Sequence, residues 1–371
     1  MVSFQLAVYE TPAVHPRSAD LADAPLLRAL RGLPTEHTPV WFMRQAGRSL
    51  SEYRAVRSRA SLFEIVRSPD LAAEVTIAPV HRLGVDAAIL FSDITVPLAA
   101  AGIDLEIVPG VGPVIAQPFR GPADLERLRG FDAERDAPYV SETVRLLARE
   151  LEVPLIGFAG GPFTLASYLI EGGPSKTHTR TRSLMYSQPD FFRALLQALA
   201  GIAVASMRAQ VLAGASALQL FESWVGVLDP VSFSRHVLPA TISIFDGLRD
   251  LDVPTIYFGV GTGELLGRMA GAGSDALGVD WRVPMDSARA RLPQGMAVQG
   301  NLDPVACLGP WDTVRAQALE VLRLAGPRGH VFNLGHGVLP ETDPDTLRRL
   351  VDLVHGYEHR NDRLPGTLVV R

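Results

Sequence analysis

Arg44 and Arg48 stand four positions apart at the end of an apolar run in the segment PVWFMRQAGRSLSEYR, residues 39–54. Extended to residue 59, the window holds Arg44, Arg48, Arg54, Arg57 and Arg59 against Glu52, a local charge of about +4 in a chain of formal charge −5. A guanidinium offers five donors in a planar fork and pairs bidentately with carboxylate or phosphate oxygens. A concentration of them at a strand end therefore points to a ligand with several anionic groups. The competing explanation is a solvated helix face. The apolar strand before the cluster and the break at Gly47 favour a site.

Other residues able to do chemistry fall at comparable places. Asp93 lies in FSDI, Tyr168 on the helix that follows GFAGGPFT, Phe221 and Ser223 in QLFESW, and His336 between two glycines in NLGHG. Asp93 and Ser223 also fit helix caps, and Tyr168, spaced helically from Leu165 and Leu169, also fits a core position. His336 is different, because its flanking glycines let backbone approach a ligand and leave the imidazole unshielded.

Several chemistries are disfavoured by counting. Cys307 is the sole cysteine, and no HxxxH or HxC spacing includes His336, so neither a disulfide nor a zinc role for that histidine is expected, and the metal expectation is none. Lys176 is the sole lysine and sits in the loop-like GGPSK, away from the strand position a Schiff-base lysine occupies. The stretch FGVGTG, residues 258–263, with Asp280 some 20 residues on, imitates a dinucleotide fingerprint. Its spacing is GxGxG, not GxGxxG, so a glycine-rich loop lining a cleft is expected there, and no cofactor.

These residues need elements to hold them. Apolar runs recur at Val40–Met43, Ala87–Phe91, Leu155–Phe158, Ala217–Phe221, Thr255–Phe258, Ala276–Val279, Met296–Gln299 and His330–Asn333. Helical patterns separate them: Pro69–Leu83, Tyr139–Leu151, Pro189–Ala213, Pro230–Leu251, Gly263–Ala272, Thr313–Leu324 and Asp343–His355. Eight β-then-α units predict an α/β fold, a single-domain (β/α)8 TIM barrel with site residues at the C-terminal strand ends; an open doubly wound sheet is the alternative. A hairpin is expected over residues 103–117, and residues 1–24 read as an irregular extension to one domain spanning 1–371. Within residues 1–35 one short amphipathic stretch, Pro25–Arg31, is expected.

Composition bounds the partners. Hydrophobic residues make up 47% of 371, enough for a substantial core, and a pI near 6.0 without a basic run argues against nucleic acid. No basic leader opens the chain, and the longest apolar stretch, about Ala194–Met207, is too short to span a bilayer. A cytoplasmic globular protein with no membrane partner is expected.

Taken together, residues 39–54, FSDI (91–94), GFAGGPFTLASYLIEGG (157–173), QLFES (219–223), GVDW (278–281), QGNLDP (299–304) and NLGHG (333–337) resemble the uroporphyrinogen decarboxylase family, in that family's order. The resemblance implies a (β/α)8 barrel, usually a homodimer, that uses no cofactor. Its implied reaction removes the four acetate carboxyls of uroporphyrinogen III to give coproporphyrinogen III on the route to haem. It implies that Asp93 accepts hydrogen bonds from the pyrrole N–H groups and stabilises a cationic intermediate. Arg44 and Arg48 would engage substrate carboxylates, Tyr168, Ser223 and His336 would hydrogen-bond them, and Phe221 would pack on the macrocycle. Asp93, Arg44, Arg48 and Tyr168 form the implied catalytic set, with the proton donor left open. Two departures are visible: Trp224 where many relatives carry His, and Gly259-Val260-Gly261 where many carry Lys-Gly. A corrinoid-related methyltransferase of the same fold and a non-catalytic tetrapyrrole-binding protein are the competing functions; the former lacks its zinc-ligand cysteines here.

Overall fold

The computed structural model describes residues 21–47, 49–108, 110–128 and 130–359. After β1 (Ala88–Ile89) comes the expected hairpin, β2 (Leu105–Val108) and β3 (Gly112–Ile115), paired antiparallel. Then follow β4 (Leu155–Gly160), β5 (Ala217–Glu222), β6 (Thr255–Gly259), β7 (Ala276–Gly278), β8 (Ala297–Gln299) and β9 (His330–Val331). Hairpin apart, the strands form one seven-stranded sheet in the order β1-β4-β5-β6-β7-β8-β9, every neighbouring pair parallel. The sheet curls into a half-barrel. Almost every residue of β4 to β9 is buried, as expected of parallel strands covered on both faces.

The expected first strand, Val40–Met43, is the main departure. It contributes one parallel bridge, Val40 to Phe332, and no strand. Its backbone nonetheless reaches both ways: Phe332 N–H donates to Pro39 O at 2.8 Å, and Asp86 N–H to Val40 O at 2.8 Å. The run is cut short by Gln45. Its side-chain oxygen accepts from Phe42 N–H at 3.0 Å, its amide donates to Ala87 O at 3.0 Å, and the chain turns. A side chain that takes up ladder donors competes with strand formation.

Helices Pro69–Leu83 and Pro189–Ala213 match expectation, and Pro138–Glu150, Trp311–Ala325 and Pro344–His355 differ from it by one or two residues at an end. Proline opens four of these five, where its missing N–H costs no bond. The expected helix Pro230–Leu251 is broken into Pro230–Ser232, a π-turn at Phe233–Val237, Leu238–Asp246 and a 3₁₀ turn at Arg249–Leu251. Pro239, the second residue of the third piece, lacks the N–H that a continuous helix requires. The expected helix Gly263–Ala272 shrinks to Leu266–Met269 and a 3₁₀ turn at Ala270–Ala272. Near the start of the chain, Pro25–Leu30 is helical; of the expected extension, only residues 21–24 fall among those described.

The helix Pro189–Ala213 is longer than its most apolar stretch suggested: by length and composition alone its 25 residues can cross a membrane. However, 56% of that window is buried inside the protein, where Phe192, Leu196, Leu199, Ala203 and Met207 join the core. Its Gln210 clips β4, accepting from Phe158 N–H at 2.8 Å and donating to Phe158 O at 3.0 Å. Inside the curl a buried polar series crosses the sheet: Trp41 donates to Gln299 at 2.9 Å, and Gln299 to Gln219 at 2.9 Å.

Candidate active site at the C-terminal strand ends

Asp93 lies four residues beyond β1, on the turn into the helix Val96–Ala100. Its Oδ1 accepts from Thr95 N–H at 2.8 Å and from Thr95 Oγ1 at 2.6 Å. The turn-forming role therefore accounts for one oxygen. Oδ2 has no hydrogen-bond partner among the described residues, and the side chain is only partly buried.

Tyr168 is carried by the helix Pro162–Glu171, which starts directly after β4. Burial raises its phenol well above the ordinary value, the Asp93 charge raises it further, and the Arg44 charge opposes both. Tyr168 thus stays a protonated donor, in electrostatic reach of both residues. Its ring meets Trp224 at 4.2 Å, tilted by 42°, and Trp224 in turn meets His178 at 4.8 Å. Trp224, one of the two departures noted in the sequence, fills the position beside Ser223 with an aromatic wall. Ser223 makes no hydrogen bond among the described residues, and no side chain caps the short turn after it.

The other side of the site is built on glycines. Arg44 adopts φ 61°, a left-handed conformation rare for arginine, and its stem lies against Gly337, where a Cβ would stand 2.4 Å from Arg44 Cδ. A Cβ on Gly335 would meet Trp281 N at 2.3 Å. His336 is therefore held between two segments that only glycines admit. Burial first, then the Arg44 and Arg282 charges, push its imidazole down to about 4, so it is neutral at pH 7. Its buried Nδ1 has no partner among the described residues. Phe258 stacks on the same ring at 6.1 Å and meets Phe221 edge-on at 6.1 Å, while Phe221 meets Phe158 at 5.5 Å.

Tyr168 thus lies in reach of Asp93 and Arg44, Arg44 in reach of His336, and His336 meets Phe221 through Phe258, while Ser223 follows β5 two residues beyond Phe221. Arg48 lies outside the described residues. Arg54, Arg57 and Arg59 hold local backbone carbonyls instead: Ser49 O at 2.9 Å, Ala60 O at 2.5 Å and Ala55 O at 3.3 Å. Among the described residues, those three arginines of the opening cluster are therefore engaged locally.

Sequence reasoning passed over Glu222, the last residue of β5. It is fully buried, accepts from Thr164 N–H at 2.7 Å, Thr164 Oγ1 at 2.6 Å and Phe163 N–H at 3.2 Å, and so caps the helix bearing Tyr168. Burial raises its carboxyl to about 7 despite those bonds. The signal was an acid inside an otherwise apolar strand pattern. Asp280, read as the acid of a false fingerprint, proves to hold the glycine loop itself: it accepts from Gly261 N–H and, at 2.9 Å, from Arg282 N–H. Cys307 is buried, its thiol pushed up to about 12 mainly by burial and then by Asp303, which leaves it no thiolate character.

Residues 21–357 match the family model described as uroporphyrinogen decarboxylase. A uroporphyrinogen decarboxylase of Salinispora tropica is 56% identical over 343 residues, covering 92% of each chain. One of Streptomyces coelicolor is 56% identical over 352 residues, covering 94% of this chain and 99% of its own. Among solved structures, a methyltransferase from Methanosarcina mazei superposes with TM-score 0.74 at 21% identity, over 90% of this chain and 98% of its own, a likeness of fold.

Proposed function

The chain belongs to the uroporphyrinogen decarboxylase family, and we propose that it removes the four acetate carboxyls of uroporphyrinogen III, as CO2, to give coproporphyrinogen III. The observation that carries the reading is Asp93: a carboxylate fixed through one oxygen, with its other oxygen unpartnered among the described residues, beside cationic Arg44 and neutral donors. Loss of CO2 leaves an electron pair that needs a sink. Protonation of a pyrrole α-carbon makes the ring a cationic acceptor; the C–C bond to the carboxyl then breaks, its pair enters the ring, a second proton converts the methylene to methyl, and the α-carbon proton leaves to restore the pyrrole. Asp93 stabilises the cation and accepts the pyrrole N–H groups. Arg44 and Arg48 hold carboxylates, and Tyr168, Ser223 and His336 hydrogen-bond them. The aromatic wall of Phe221 packs on the macrocycle.

The proposal extends to a closed (β/α)8 barrel, the backbone bonds of residues 39–41 to Phe332 and Asp86 supporting closure at the first unit. It extends also to one domain, a cytoplasmic setting and a homodimer. Exposed Val231, Val305 and Leu308, in short helical turns following β5 and β8, support association. Sedimentation at micromolar concentration is expected to give twice the chain mass of 40.0 kDa, and a monomer would remove the dimer.

The decisive assay incubates the protein with enzymatically generated uroporphyrinogen and follows stepwise carboxyl loss by chromatography. Hepta-, hexa-, penta- and tetracarboxylate products are expected in turn. Binding without turnover would instead favour a tetrapyrrole carrier.

A further inference from the structure

We propose that Arg282 supplies a third guanidinium to the carboxylate-binding mouth, alongside those assigned to Arg44 and Arg48, and biases the enzyme toward its most highly carboxylated substrates. The inference rests on the decarboxylase reading.

Arg282 follows β7 and Trp281 on the loop that packs against Gly335, the residue before His336. Arg44 packs against Gly337, the residue after it. The two arginine-bearing segments thus bracket one histidine, and the Arg282 charge is felt there, since it disfavours protonation of His336 together with that of Arg44. A purely structural arginine would spend its donors on the protein. Arg282 spends one: Nη1 meets Asp280 Oδ2 at 3.1 Å, and its other side-chain donors have no partner among the described residues. The guanidinium is anchored on a carboxylate that is 1% exposed, yet its own side chain is 51% exposed. Its face lies on the Trp281 ring, 3.9 Å from the centroid.

That arrangement is a pre-organised cation. One edge is tied to Asp280, one face is stacked, and the remaining fork is wet. Stacking and tethering remove much of the rotamer freedom a free arginine would lose on binding a carboxylate. A ligand that begins with eight carboxylates and loses four engages such an outer cation most fully at the first steps.

The test compares wild type with R282M, which keeps the apolar stem over Trp281 but loses the charge, and R282K, which keeps the charge but loses the planar stack. R282M is expected to raise KM for uroporphyrinogen about tenfold, the loss of one charge-assisted contact, while kcat falls less than about threefold. The salt dependence of kcat/KM becomes shallower, and the preference for the octacarboxylate over the pentacarboxylate narrows. R282K falls between the two, and unfolding midpoints establish that all three are folded. Wild-type KM and salt dependence in R282M would overturn the proposal. So would an R282K as impaired as R282M, because packing would then explain the loss. Absence of turnover in the wild type sinks the decarboxylase reading by itself, whereas normal wild-type turnover with R282M unchanged removes Arg282 alone.

Discussion

At the residue scale, Asp93 holds its turn through Oδ1, and the task proposed for it, facing the cationic intermediate, falls to its other oxygen, so the two are separable. Asn in its place keeps an acceptor for Thr95 N–H and Oγ1, so the turn survives, but the charge opposite the cationic intermediate is gone. D93N is therefore expected to retain the wild-type unfolding midpoint and to lose at least about 10²-fold in kcat, measured on uroporphyrinogen. Wild-type-like turnover would remove Asp93 from its assigned role. The places of Asp93 and His336 beyond strands, and of Tyr168 on the helix after β4, were legible because each lies in a distinctive local setting. The brackets around His336 were not, since the NLGHG motif shows two glycines but not the partners that use the space: Arg44 and Trp281 arrive from remote positions. The role of Glu222 was not legible because its partners, Phe163 and Thr164, lie on another unit.

At the element scale, the helix Pro162–Glu171 owes its orientation to a buried acid. The Glu222 carboxyl rises from its ordinary 4.5 to about 7, so the stability it contributes is fully present below pH 4.5 and is lost as pH rises through about 7. A shift of that size amounts to about 3 kcal/mol. E222Q is expected to show a flatter dependence of denaturant midpoint on pH across that window; equal slopes would exclude Glu222 as the titrating group. A second pH-dependent joint lies at the other end of the sheet. His37 Nε2 and His355 Nε2 each meet one oxygen of Asp86 at 2.8 Å, and Asp86 Oδ2 also accepts from Val40 N–H at 2.7 Å. The hydrogen bond to Asp86 raises His37, which supplies stability below its usual 6.5 that is lost as pH climbs through the raised value. Asp86 is held below its usual 3.8 by the two histidines against the opposing cost of burial, so its contribution is present above 3.8 and lost as pH falls through the lowered value. The joint is strongest between those limits, and H37Q is expected to remove the alkaline decline it causes in the unfolding midpoint. Strand order and most helix ends were legible from alternating apolar runs. The Val40–Met43 run misled because Gln45, a side chain, takes the bonds a strand would have used.

At the scale of the whole molecule, the two ends of the parallel sheet carry different chemistry. Among the described residues, His37, Asp86 and His355 are the side chains grouped at ligand distances, and they lie before β1 and at the end of the last helix, away from Asp93. EDTA is accordingly expected to leave turnover unchanged, and chelator-sensitive activity would refute a reaction run by Asp93 and the arginines alone. The methyltransferase likeness stops at fold: the zinc-thiolate chemistry that the competing reading requires has no second cysteine here.

The contact between Met43 and Asn333, a hydrogen bond of 3.1 Å between residues 290 positions apart, has a consequence for how the protein comes into being. Everything between those positions must be synthesised before they meet, so the edge of residues 39–43 that faces β9 waits unpaired while the chain leaves the ribosome. Contacts of such sequence separation carry the largest loop-closure cost and form late. Assembly therefore ends where the chain began, and lesions near Asn333 or in the last helix penalise folding yield more than their local contacts suggest.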